Sequence, residues 1–310
     1  MGILFFAGSF FLVQWEKMDN TAKFVLDNAE SQPEKVKDVL VQLHEKGETV
    51  SDVLEFVREL EERKVKIQRG EELRDAKIFD VCGTGGSGKK RINLSTALAV
   101  RLSQDGFMIA KHGNKAASGK VGSFDLIETA GFEVADTPEK VRKNLIEKNL
   151  AFVFAPMFHP ALKHLAPIRQ SLCHPTIFNF LGPLLNPIEA LTAQMVGVSS
   201  VSVLEKLAEV AAELGKNILF VHDSEFGLDD VSIGGETVFA KVQDGEVETG
   251  KFVPEDYDVQ RILSFDEISG GNVETNFEIF DSLVKGTALE GYQNFLRINQ
   301  VVAEDFFKKF

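Results

Sequence analysis

Apolar side chains recur every three or four positions early in the chain: Val36, Val39, Leu40 and Leu43, then Val53, Leu54, Val57 and Leu60. That spacing puts each set on one face of a helix. The flanks supply the ends. Gln32-Pro33-Glu34 places proline in a first helical turn, where a missing N–H costs nothing, and an acid beside the positive helix end. Gly47 stops this helix, and Thr49 with Asp52 has the spacing of a capping box for the next. The charged run 58–64 (RELEERK) predicts a solvated face.

From Lys77 the period shortens. Apolar runs at 78–82, 107–110, 151–155, 176–180, 194–198 and 217–221 read as buried strands. A helical pattern spans 95–105, and another carries Val203, Leu204, Leu207, Val210 and Leu214 on one face. Strands alternating with helices predict an α/β fold with a mostly parallel central sheet covered on both sides. Residues 237–243 and 246–249, joined by Asp244-Gly245, read as a hairpin. The expected organisation is an N-terminal extension and small helical domain over 1–70, joined by helices near 160–175, and a larger α/β domain over 71–310. Ligands of such sheets sit beyond the carboxyl ends of the strands.

Composition adds limits. The chain has 310 residues, enough for about two domains. Its 44% hydrophobic content excludes a wholly disordered chain. A net charge of −13 disfavours non-specific nucleic-acid binding, which depends on Lys and Arg neutralising phosphates. The 26 Phe residues are expected to fill cores. Cys82 and Cys173 form no CxxC pair, which points to a reducing cytoplasm. Residues 1–15 (MGILFFAGSFFLVQW) are too short to span a bilayer and have no basic residue ahead of their apolar run. They are expected to pack on the body as an extension, or to precede a true start at Met18. No membrane partner is expected.

Candidate chemistry falls at predicted strand ends. Gly83-Thr84-Gly85-Gly86-Ser87-Gly88 lies between a strand and a helix, where glycines let several peptide N–H groups converge on a phosphate. Its spacing is neither the Rossmann nor the Walker A pattern. Between residues 83 and 123 stand seven basic side chains (Lys89, Lys90, Arg91, Arg101, Lys111, Lys115, Lys120) against one acid, Asp105. This local field suits a polyanionic small ligand. Asn93, Ser95 and Thr96 open the following helix, as N-cap residues or as phosphate and metal contacts. Asp229-Asp230 lies off regular structure. Such a turn is ordinarily solvated, but beside a pyrophosphate loop its carboxylates suit Mg²⁺. His159 and Arg169 lie close in sequence, and Arg suits bidentate carboxylate recognition.

GTGGSGKKRINLST, KHGNKAASGKVGSFD, FAPMFHPALKHLAPIR, FNFLGPLLNP and GLDDVS follow one another in the order and approximate spacing of anthranilate phosphoribosyltransferases. The chain resembles that family from about residue 39 to about residue 299. The resemblance implies a helical domain plus a larger α/β domain of the nucleoside phosphorylase/phosphoribosyltransferase type, a cleft between them, and a homodimer formed through the helical domain. It implies Mg²⁺-dependent transfer of phosphoribose from phosphoribosyl pyrophosphate (PRPP) to the amino group of anthranilate, in tryptophan biosynthesis. Catalysis would rest on positioning and electrostatics. By the same resemblance Gly83, Thr84, Gly85 and Gly86 surround the pyrophosphate, and Asn93, Ser95 and Thr96 contact PRPP or its metal. Lys111, Ser118 and Gly119 hold phosphates; Ser95, Asp229 and Asp230 serve Mg²⁺; Asn114, His159 and Arg169 line the anthranilate path. The chain departs from the family pattern at Ser87 (usually Asp), Lys115 (Arg), Asp230 (Glu), Cys173-His174-Pro175-Thr176 (Gly-x-Arg-Thr) and Asn299-Gln300 (Asn-Ala). A paralogue that is non-catalytic or uses another acceptor is the alternative. A pyrimidine nucleoside phosphorylase is a further one, although there Lys-His precedes the Gly-rich loop and here Lys111-His112 follows it.

Overall fold

A computed structural model describes residues 20–85, 89, 92–114, 123–172 and 174–310. The expectations for residues 1–15 and Met18 lie outside the described residues. Three helices lead, Thr21–Asn28, Pro33–Lys46 and Val50–Arg63. Pro33 opens the second, and Gly47, at φ 76°, closes it. Thr49 and Asp52 form the reciprocal capping box. The expected apolar stripes are buried except Leu54, which is half-buried; Phe56 takes an inward place instead. The run 58–64 is not uniformly solvated. Lys64 turns inward, donating to the Asn186 carbonyl at 2.9 Å and pairing with Glu61 at 2.7 Å.

Among the described residues eight strands form one sheet: β1 (Ile78–Gly83), β2 (Met108–Gly113), β3 (Val134–Ala135), β4 (Leu150–Phe154), β5 (Ala193–Gly197), β6 (Ile218–Asp223), β7 (Thr237–Gln243) and β8 (Glu246–Phe252). Their order is β3-β4-β2-β1-β5-β6-β7-β8. Pairings from β3 to β6 are parallel, and the β7–β8 hairpin adds antiparallel strands at one edge. The chain builds outward from β1 through β2 and β4, then returns to place β5 on the other side of β1. This reversal of winding opens a crevice at the carboxyl end of β1.

Among the described residues, alternate strand residues feed three buried clusters, the smallest of which holds Ile78, Ala110, Ala151 and Val153. Phe79, Val81, Met195, Leu219 and Val221 pack with helix Leu94–Gln104 and the C-terminal helix Glu290–Phe307. Val196, Val198, Ile218 and Phe220 pack with helix Val201–Glu213 and, continuously, with the N-terminal helices. Phe79 stacks on Phe307 at 4.4 Å, and Phe56, Phe124, Phe152, Phe158 and Phe220 are fully buried. Among the described residues no helix is long and apolar enough to cross a membrane.

One predicted strand is corrected. Residues 176–180 are not extended: Phe178–Leu181 is helical and continues into a 3-10 turn over Gly182–Leu185. Asn179 Oδ1 accepts the Thr176 N–H at 3.0 Å, which turns the chain. Ile177, Phe178, Leu181, Leu184 and Leu185 are all buried, a helical spacing that a five-residue window cannot distinguish from a strand. Phe178 meets Phe56 edge-on at 5.4 Å, joining this segment to the N-terminal helices.

Candidate active site

The carboxyl end of β1 passes directly into the glycine-rich turn. Thr84 N–H bonds the Gly197 carbonyl at the end of β5, and Gly85 adopts φ 68°, a left-handed conformation that glycine takes without strain. Gly85 N–H then donates to Asp229 Oδ2 at 2.9 Å. The Asp229-Asp230 loop therefore lies against the turn, although the two are far apart in sequence. The approach is close. A Cβ on Gly83 would lie 2.5 Å from Asp229 Oδ2, and one on Gly197 would lie 1.7 Å from the Asp229 carbonyl oxygen. Both aspartates are buried, at 2% and 6% exposure, which excludes the solvated-turn reading. Asn299 clamps the loop from the C-terminal helix. Its Oδ1 accepts the Val231 N–H at 2.9 Å, while Nδ2 donates to the Val231 and Phe295 carbonyls.

Behind the turn, Lys111 of β2 is 2% exposed. Its Nζ donates to the Val81 carbonyl at 2.8 Å and to Ser95 Oγ at 3.1 Å. Its charge therefore stands under the loop and reaches the helix start through a hydroxyl. Asp80, fully buried on β1, accepts from His112 N–H, Asn186 Nδ2 and Gln194 Nε2. Burial raises its pKa, and the Lys111 charge opposes the rise. Asn93 holds the N-cap position of helix Leu94–Gln104, yet its side chain does not cap. Asn93 Nδ2 and Thr96 Oγ1 are buried and make no hydrogen bond among the described residues. Capping does not consume these groups. Lys89 lies over the Phe265 ring at 5.1 Å.

Next to the turn is a cavity of about 310 Å³, walled by Gly83, Thr84, His112, Asn114, His159 and Arg169 among others. Arg169 is half-buried over the Phe178 ring at 5.4 Å, and burial lowers its pKa. Among the described residues no carboxylate pairs with it. His112 and His159 are buried, their Nε2 atoms 3.1 Å apart. Burial, chiefly, holds His112 well below the usual imidazole range and His159 at about 4.

A family model described as "Glycosyl transferase family, a/b domain" matches residues 75–304. The anthranilate phosphoribosyltransferase of Dictyoglomus thermophilum is 38% identical over 266 residues, covering 86% of this chain and 77% of that protein. That of Symbiobacterium thermophilum is 38% identical over 272 residues, 87% of this chain and 78% of its own length. The chain belongs to the anthranilate phosphoribosyltransferase family. The crystal structure of the Thermus thermophilus anthranilate phosphoribosyltransferase superposes with a TM-score of 0.82 at 31% identity, covering 94% of this chain and 85% of that one. The Saccharomyces cerevisiae enzyme, solved in complex with PRPP and Mg, shares the fold with a TM-score of 0.79 at 23% identity, over 93% of this chain and 81% of that chain.

Set against this family's motifs, Gly83, Thr84, Asn114, His159 and Arg169 meet around one cavity, Gly85 meets Asp229, and Ser95 meets Lys111. Thr96 is buried beneath the helix start, away from the cavity wall. Gly86, Ser87, Gly88, Lys90, Arg91, Lys115, Ser118, Gly119, Lys120 and Cys173 lie outside the described residues. The donors at the Asp229 loop are hard oxygens. Among the described residues no three His, Cys, Asp or Glu side chains gather into a closed metal cage. Two carboxylates without such a cage fit Mg²⁺, which keeps waters and shares its coordination with substrate phosphates. The Lys111 ammonium beside Ser95 Oγ favours an anion at that hydroxyl. Sequence reasoning missed Gly197, Asn299 and Asp80. Gly197 lies inside the predicted strand 194–198, and Asn299 enters only as an ordinary member of the family pattern, so neither carries a local mark of its long-range contact.

Proposed function

We propose that this chain transfers the phosphoribosyl group of PRPP to the amino group of anthranilate and releases pyrophosphate, in tryptophan biosynthesis. Relatives 38% identical over most of the chain bear that activity in their names. One observation carries the acceptor assignment: Arg169, with no carboxylate partner among the described residues, walls the same cavity as the Gly83-Thr84 turn. A half-buried guanidinium is a receptor for the carboxylate of an aromatic acid. It orients the ortho amine towards the sugar carbon, and holding both reactants in one cavity supplies much of the acceleration. The glycine turn borders the place of the leaving pyrophosphate, with the Lys111 charge beneath and the Asn93, Ser95 and Thr96 side chains at the helix start. Asp229 and Asp230 would hold Mg²⁺, which would neutralise the charge that departs with pyrophosphate, while Ser95, beside the Lys111 ammonium, serves a phosphate oxygen or one bound to that metal. Gly86, Ser118 and Gly119 belong to the same phosphate site.

The same reading takes the segment up to residue 70, with the helices near 160–175, as a helical domain over the cleft. It gives a cytoplasmic homodimer. Buried Asp229 and Asp230 and the intact Arg169 site favour anthranilate transfer over the paralogue and phosphorylase alternatives.

Incubation with PRPP, anthranilate and Mg²⁺ should extinguish anthranilate fluorescence; no loss at high protein concentration overturns the assignment. Arg169→Ala should raise the KM for anthranilate about tenfold or more, the scale of a lost charged hydrogen bond, with the melting temperature preserved. An unchanged KM would remove Arg169 from the acceptor site.

A further inference from the structure

The Asp229-Asp230 pair stands between two anchors. Upstream, Gly85 N–H meets Asp229 Oδ2 at 2.9 Å, and the Asp229 carbonyl oxygen lies so close to Gly197 that a Cβ there would be 1.7 Å away. Downstream, the first residue after the pair is Val231, and one side chain takes up both its backbone N–H and its carbonyl. Asn299 Oδ1 accepts the N–H at 2.9 Å, and Nδ2 donates to the carbonyl at 3.2 Å. We propose that Asn299 is a positioning residue for the metal. By fixing the backbone at Val231 it sets where the Asp230 carboxylate stands, and with it the affinity of the pair for a divalent cation. The proposal rests on the reading of Asp229 and Asp230 as Mg²⁺ ligands.

The clamp has little freedom of its own. Asn299 Nδ2 also donates to the Phe295 carbonyl, one turn back in the same helix, at 2.9 Å. The amide is therefore oriented by the helix that carries it, and at 1% exposure water does not compete for it. Two bonds to a single residue fix the rotation of its backbone as well as its distance, as a hydrogen-bonded pair of an antiparallel sheet does. The chain beyond is tied as well. Ser232 N–H donates to Thr237 Oγ1 at 2.9 Å and Gly235 N–H to Ser232 Oγ at 3.0 Å, with Ser232 and Thr237 fully buried.

Asp230, 6% exposed, lies between these fixed points. An aspartate has one torsion between its backbone and its carboxyl carbon, so a shift of the backbone carries the carboxylate with it. Mg²⁺ demands nearly ideal octahedral geometry at about 2.0–2.1 Å, so a displaced carboxylate loses the contact instead of stretching it. Asn299 is not in the wall of the cavity that contains Arg169. Its loss should therefore fall on the metal and spare the acceptor.

The test measures metal binding apart from turnover. Mn²⁺, which suits the same carboxylate donors, is titrated onto the full chain, and the free ion is counted by electron paramagnetic resonance. The part of the binding that Asp229→Asn removes belongs to the site. Asn299→Ala should weaken that part about tenfold to a hundredfold, the scale seen when a group supporting a metal ligand is lost. In turnover it should raise the Mg²⁺ requirement without changing the KM for anthranilate, and added Mg²⁺ should return lost rate. Asn299→Ser, a milder change, serves where Asn299→Ala does not melt cooperatively. Tyr292→Phe is the control. Tyr292 lies in the same helix, and its hydroxyl donates to the Ser269 carbonyl of a different loop at 2.8 Å. This variant should lower the melting temperature and leave Mn²⁺ binding unchanged. Equal Mn²⁺ affinity with and without the Asn299 amide, or an equal loss in Tyr292→Phe, would overturn the positioning role and leave the transfer reading intact. Absence of Asp229-dependent Mn²⁺ binding in the unaltered protein would remove the metal assignment and this proposal together.

Discussion

The two sides of the proposed site, one for phosphate and one for the acceptor, are built on different plans. On the phosphate side, the charged groups named above are tied to the protein itself: Asp229 to Gly85, Lys111 to Val81 and Ser95, Asp80 to His112, Asn186 and Gln194. On the acceptor side, Arg169 rests on a ring with no carboxylate among the described residues, and His159 Nδ1 makes no hydrogen bond among them. The first plan fixes dipoles and charges before a ligand arrives, so no reorganisation is needed when charge develops on the leaving group. The second leaves hydrogen-bonding capacity for the ligand to complete, which is how a site rejects molecules lacking the matching group.

The sharpest way to break this contrast is Gly197→Ala. A methyl cannot share space with the Asp229 carbonyl at 1.7 Å, so the loop must move as a body. Activity should fall beyond about a hundredfold and stability by about 1–3 kcal/mol, read by turnover and thermal melting. Preserved activity would show that the loop need not touch the turn. Next in size is Asp229→Asn, which keeps the shape and an oxygen for Gly85 N–H but removes a charge. We expect kcat to drop about tenfold to a hundredfold, with partial recovery at raised Mg²⁺ and an almost unchanged melting temperature. Indifference to Mg²⁺ would contradict the metal role.

The last test, in which activity is not the readout, concerns the acceptor side and folding. His159 is held at about 4 when folded against an ordinary 6.5. Between those values the unfolded chain binds more protons, so stability falls as pH drops from about 6.5 towards 4. Removing the group with His159→Asn should flatten that part of the curve, by up to about 3 kcal/mol at its acid end. Parallel denaturant curves for the two proteins across this range would refute the burial of a neutral ring.

Local rules made part of this legible. Pro33, Gly47 and the Thr49–Asp52 box set helix ends through contacts within a few residues, and each lies where its chemistry requires. The glycine turn and the Asp-Asp loop were readable because their composition is unusual. What was hidden depends on neighbours distant in sequence. The segment 176–180 reads as a strand until Ile177 to Leu185 are seen to share a helical face against Phe56. Asp80 has an ordinary place in an apolar run, and only folding surrounds it with Asn186 and Gln194. Lys64 sits in a charged run whose other members give no sign that it alone reaches the Asn186 carbonyl.

The clamp from Asn299 onto Val231 has a consequence for biosynthesis. A ribosome moving along the message completes every strand of the sheet well before it reaches codon 299. Until the last helix emerges and docks, the aspartate loop lacks its anchor, so a nascent or prematurely terminated polypeptide has every strand synthesised and the Asp229-Asp230 loop still unclamped.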